Sequence, residues 1–133
     1  DYTIKKELSK GNLVITDGWY YKLYSRFVIK DKYDQNVLDD IFFNVPEPDF
    51  VYYLNADSST ILSRRAEFLP TEFGEMDANE KLLTDKTNKF ISYQARVKRV
   101  LDNLSEQKGW EVFLNEQFEE CVNSVTASIL SKF

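Results

Sequence analysis

The stretch DFVYYLNADSSTILSRR, Asp49 to Arg65, sets the fold class. Phe50 to Leu54 is a near-continuous apolar run with no polar alternation. Such a run predicts a strand covered on both faces, as in a parallel sheet. Asp57 then stands where an N-cap belongs, ahead of a helix through Ser63 toward Leu69. Strand, acidic cap and helix in this order predict a unit of an α/β fold.

Working outward, the same pattern recurs. Leu13 to Thr16 is a second continuous apolar and β-branched run, ending at Asp17. A helix is predicted from about Tyr20 to Ile29. Another starts near Asp34, with Val37, Leu38, Ile41 and Phe42 on one face. VPEPDF stops it, since Pro46 and Pro48 cannot continue a helix. Phe90, Tyr93, Val97, Val100, Leu101 and Leu104 form a helical stripe that Gly109 ends. Trp110 to Leu114 reads as a third strand, and Phe118, Cys121, Val122, Val125 and Ile129 as a closing amphipathic helix. YTIKKELSKGN reads as a helix end stopped at Gly11. Residues 70–87 are polar and acidic and read as a long, lid-like surface loop. The expectation is one α/β domain over residues 1–133, a three-stranded parallel sheet near 12–17, 49–55 and 110–115 with flanking helices. Ligands bind such sheets at the carboxyl ends of the strands.

Composition narrows the function. The chain of 133 residues has ten Phe, eight Tyr and a formal net charge of −5. High aromatic content argues against disorder. The acidic balance argues against a nucleic-acid partner. No apolar run approaches a bilayer span, so no membrane partner is expected. Histidine is absent, which removes Ser–His and Cys–His nucleophiles and most zinc sites. Cys121 is the single cysteine, which fits a reducing cytoplasm. The first residue is not Met, so the chain is expected to begin inside a longer one.

The candidate chemistry lies in charged residues beside the strands. Asp17, at the end of an apolar run, could hold Mg²⁺ as phosphoryl-transfer sites require. Equally, it could cap the helix that follows. Lys22 and Arg26 are four apart and share a helical face, suited to an anion or simply solvated. Arg64 and Arg65 end a helix before the long loop. Arginine forks match phosphate oxygens, yet a helix C-terminus also favours cations through its dipole.

Taken together, LVITDGWYYKLYSRF, PDFVYYLNADSSTILSRRAEF, EFGEMD and FISYQARVKRVLDNL resemble thymidylate kinases and thymidylate-kinase-like proteins. The resemblance runs from about Asn12 to Ile129 and rests on the order and spacing of the motifs. It implies a P-loop kinase fold that transfers the γ-phosphoryl of ATP to a nucleotide, with Mg²⁺. It places Asp17 near metal and phosphate and Arg26 near the acceptor, with Lys22 a substrate-binding candidate on the same helical face. Arg64 and Arg65 lead into the lid and close on the phosphates. Glu72 falls in the lid, and Gln94 and Arg96 on the helix after it. Gly18 stands where the family has an arginine for the acceptor phosphate, so thymidylate specificity does not carry over there.

No G-x-x-x-x-G-K-[ST] occurs in the chain, so no backbone cradle for the donor phosphates is present. In the family that loop follows a strand lying between those that here are Leu13–Thr16 and Phe50–Leu54. The chain therefore reads as the C-terminal portion of such a kinase, without phosphoryl-transfer activity by itself. Each buried unpaired backbone group costs roughly 1–3 kcal/mol. The gap must be filled by the preceding half or by a chain that replaces it, a second copy included, or else closed by the strands. The alternative reading is a non-catalytic binding or assembly module on the same architecture.

Overall fold

The computed structural model describes residues 2–30, 33–64 and 83–132. Among these residues six helices dominate, with a two-stranded parallel sheet. In order they are α1 (Tyr2–Leu8), α2 (Tyr20–Lys30), α3 (Gln35–Phe42), β1 (Tyr52–Asn55), α4 (Ser58–Ser63), α5 (Leu83–Lys108), β2 (Glu111–Leu114) and α6 (Phe118–Leu130). Among the described residues, no helix is long and apolar enough to cross a membrane.

β1 and β2 pair in parallel with Tyr52 opposite Glu111 and Asn55 opposite Leu114. Glu111 N–H donates to Val51 O at 3.1 Å and Asn115 N–H to Asn55 O at 2.8 Å, extending the ladder at both ends. Alternating side chains meet different helices. The Tyr53 hydroxyl donates to Asp102 Oδ1 on α5 at 3.2 Å. On the other face, Glu111 accepts from Ser128 on α6 at 2.5 Å and pairs with Lys132 at 2.9 Å. Helices thus reach the sheet from both sides, but the cover is partial: Leu54, Val112 and Leu114 stay exposed, so the strands are not covered on both faces as the apolar runs predicted.

The core lies between α2 and α5. Tyr21, Ser25 and Ile29 repeat every four residues on α2 and are buried, as are Phe90, Val97 and Leu104, spaced by sevens on α5. These spacings keep one stripe of each helix against the other. Phe90 and Leu38 are each 1% exposed. Removing the Phe90 ring would cost about 3–5 kcal/mol, a large part of a domain's net stability. Asp34 caps α3 by accepting from Asn36 N–H, and Asp57 caps α4 by accepting from Thr60 N–H at 2.7 Å. Gly109 ends α5 at φ +65°, a left-handed conformation that glycine adopts without strain.

One strand expected from the sequence is missing. Residues 12–16 are neither helix nor strand, and Leu13 and Ile15 are 58% and 74% exposed. An apolar run becomes a strand only when a neighbouring edge supplies its backbone partners. β1 spends one edge on β2, and no described segment pairs with the other. The flanking strands have not closed up on each other. A smaller correction concerns the loop over 70–87: α5 begins at Leu83, so 83–87 are helical. The remainder of that loop, and the helix continuation from Arg65 to Leu69, lie outside the described residues.

Candidate functional site

The two ends of the short sheet differ in chemistry. At the carboxyl ends, α4 leaves β1 through its Asp57 cap. Hydrogen bonds from Thr60 N–H first, then Ser59, hold the Asp57 carboxyl below its ordinary value. α4 ends at Arg64, whose backbone N–H donates to Ile61 O at 3.3 Å. The Arg64 guanidinium reaches across the sheet. Nη1 donates to Asn115 Oδ1 at 3.2 Å and Nη2 to Glu116 O at 2.8 Å. An exposed arginine therefore bridges the residues that follow β1's helix and β2. Its planar fork suits a bidentate oxyanion at least as well as the amide and carbonyl it now holds.

At the amino ends, a dense knot ties three segments together. Glu47 precedes β1 and Lys108 precedes β2, and they pair at 3.0 Å. Tyr20 donates to Glu47 Oε1 at 2.8 Å, Tyr21 donates to Glu47 Oε2, and the Trp19 indole N–H donates to Pro46 O at 3.0 Å. The Tyr21 ring lies 4.5 Å from Trp110, and the Lys108 ammonium stands over it at 5.7 Å. Burial works to raise the Glu47 carboxyl, but hydrogen bonds from Tyr21, Lys108 and Tyr20 and the lysine charge outweigh it and lower it. Burial first, then the hydrogen bond to Glu47, pushes the Tyr20 phenol up to about 12. The same two causes push Tyr21 higher still.

The residues singled out from the sequence are split between these places. Arg64 is at the carboxyl ends. Asp17 is exposed in a turn two residues before Trp19, which ties that turn to the amino-end knot. Asp17 therefore does not stand at the carboxyl end of a strand, because residues 12–16 form none. Lys22 is exposed in the first turn of α2 and Arg26 is half-buried one turn on. Gln94 is half-buried on α5. Arg96 donates through Nη2 to Ile29 O, tying α5 to the end of α2. Arg65 and Glu72 lie outside the described residues.

Among the described residues, no three acidic or cysteine side chains gather as metal ligands. Gly18 has φ +65°, a conformation that would strain an arginine in its place. The Glu47 knot was not foreseen from the sequence. Its signal was weak: an acid between two prolines, two tyrosines at a helix start and a tryptophan after a helix-ending glycine.

No protein-family model matches the chain, and no curated protein is significantly similar to it.

Proposed function

We propose that this chain is the C-terminal portion of a thymidylate-kinase-like nucleoside-monophosphate kinase, which passes the γ-phosphoryl of ATP to a nucleotide acceptor. The observation that supports it best is Arg64, its guanidinium lying across the carboxyl ends of two parallel strands. Oxyanions bind at that edge of an α/β sheet, and an arginine there stabilises charge on a transferred phosphoryl group. Among the described residues, the run at 12–16 and one edge of β1 have no strand partner, which suits a phosphate-loop strand inserted between them. On this reading the preceding half, or a chain replacing it, binds ATP and Mg²⁺. The residues here supply the acceptor side and the arginine.

A second reading is a non-catalytic binding or assembly module on the same architecture. The placing of Asp17 at the opposite end from Arg64 favours it, as does glycine in the family's arginine position. ADP formation from ATP and a panel of nucleoside monophosphates separates the two. The kinase reading expects turnover by the full-length polypeptide that contains these residues. Arg64→Ala should reduce it at least about 100-fold. The 133 residues alone should give none. A full-length polypeptide that forms no ADP with any acceptor leaves the module reading in place.

A further inference from the structure

We infer that copies of this chain associate head to tail, the outer face of α3 in one docking on the outer face of α5 in the next. This contact does not depend on the kinase reading. Its first support is charge segregation along the sequence. Residues 34–63 hold six acidic residues and no lysine or arginine, whereas residues 86–101 hold five basic residues and no acid. The first segment contains α3 and the second lies within α5. Opposite charge steers two such faces together and fixes their register.

The two helices carry matching stripes. On α3, Val37 and Ile41 are one turn apart and exposed, with exposed Asp40 on the same side. On α5, Ile91, Ala95 and Arg99 follow at four-residue intervals, and all three are exposed. Each stripe therefore joins a small apolar strip to one charge, and the two charges are opposite. Neither charge is spent within the chain. Among the described residues, the Asp40 carboxylate and the Arg99 guanidinium have no hydrogen-bond or ion-pair partner. Their neighbours differ: Asp39 accepts from Gln35 at 3.1 Å, and Lys98 pairs with Asp102 at 2.7 Å. Asp40 also stands in the last turn of α3, where the helix dipole disfavours a carboxylate and no basic residue offsets it. The arginine of a second copy removes that conflict while its apolar strip covers Val37 and Ile41. Within one chain the stripes cannot meet. α3 turns Phe42 onto Tyr20 of α2, and α5 turns Phe90, Val97 and Leu104 onto α2, so both stripes face away from the helix between them. A copy that offers its α5 keeps its own α3 for the next, which makes the contact heterologous.

The test is sedimentation velocity on the full-length polypeptide, over a concentration series reaching the sub-millimolar range. The wild type should form species beyond the dimer, and added salt should weaken them. Asp40→Arg and Arg99→Asp should each weaken self-association at least about tenfold, because like charges then face each other. Both positions are exposed, so helical circular dichroism should not change. Mixed in equal amounts, the two variants should assemble again, since each carries the charge that the other needs. Arg64→Ala should assemble like the wild type, which separates this contact from the proposed kinase site. A monomer at every concentration, single variants that assemble like the wild type, or a mixture no better than either variant alone would overturn the proposal.

Discussion

The amino and carboxyl ends of the β1–β2 pair are built from different residues and hold them differently. At the amino end, Glu47 is held by two phenols and an ammonium against a Trp110–Tyr21 contact. At the carboxyl end, a single exposed arginine spans the gap to Asn115 and Glu116. The first arrangement spends its polar groups on one another, so it fixes the entry of both strands and the start of α2. The second leaves a charged fork on polar partners that a ligand could replace. Stability concentrates at one end and the capacity for anion chemistry at the other.

The contrast breaks first at Trp110. Its ring is half-buried and touches both Tyr21 and Tyr53. Trp110→Ala should cost about 3 kcal/mol in chemical denaturation. A loss below about 1 kcal/mol would mean that the amino end does not anchor the sheet.

Glu47→Gln should cost about 1 kcal/mol, because the amide replaces a charged acceptor for two phenols and Lys108. The pH dependence sharpens this. The Glu47 carboxyl sits below its ordinary 4.5 in the folded chain, so its contribution is present above 4.5 and is lost as pH falls through the lower folded value. Tyr20 is raised from 10.0 to about 12, so its contribution is complete below pH 10 and is lost as pH climbs toward 12. Circular dichroism with tyrosinate absorbance should therefore show alkaline unfolding within that window. Tyrosine titration that finishes near pH 10 with the fold intact would remove the knot from the account.

The smallest expected effect is at the other end. Arg64→Ala should change stability by no more than about 0.5 kcal/mol, since Arg64 and Glu116 are exposed and Asn115 is only half-buried, so the partners regain water. A loss of 2 kcal/mol or more, roughly the cost of a buried truncation, would make Arg64 a structural strut.

Much of this fold was legible in the sequence where local signals were strong. Asp57 stands where a cap belongs, a helix starts next to Asp34, Gly109 stops α5, and the α5 stripe from Phe90 to Leu104 faces α2 as its period demanded. The parallel pairing of residues 52–55 with 111–114 followed from runs without polar alternation. Residues 12–16 have the same apolar character and form no strand. Pairing is a property of two segments, and composition reports only one. The candidate site was less legible for the same reason. Arg64 could be placed from its position after a strand and helix. Asp17 could not, because its place depended on a strand that lacks its neighbour, and on tyrosines whose partner, Glu47, is remote in sequence.

The most direct test of the central claim is an experimental structure of the full-length polypeptide with a non-hydrolysable ATP analogue and a nucleoside monophosphate. The account predicts a phosphate-loop strand between residues 12–16 and β1, with Arg64 moved from Asn115 and Glu116 onto a phosphate oxygen. Residues 12–16 paired directly to β1, or nucleotide bound away from the carboxyl ends of β1 and β2, would contradict it.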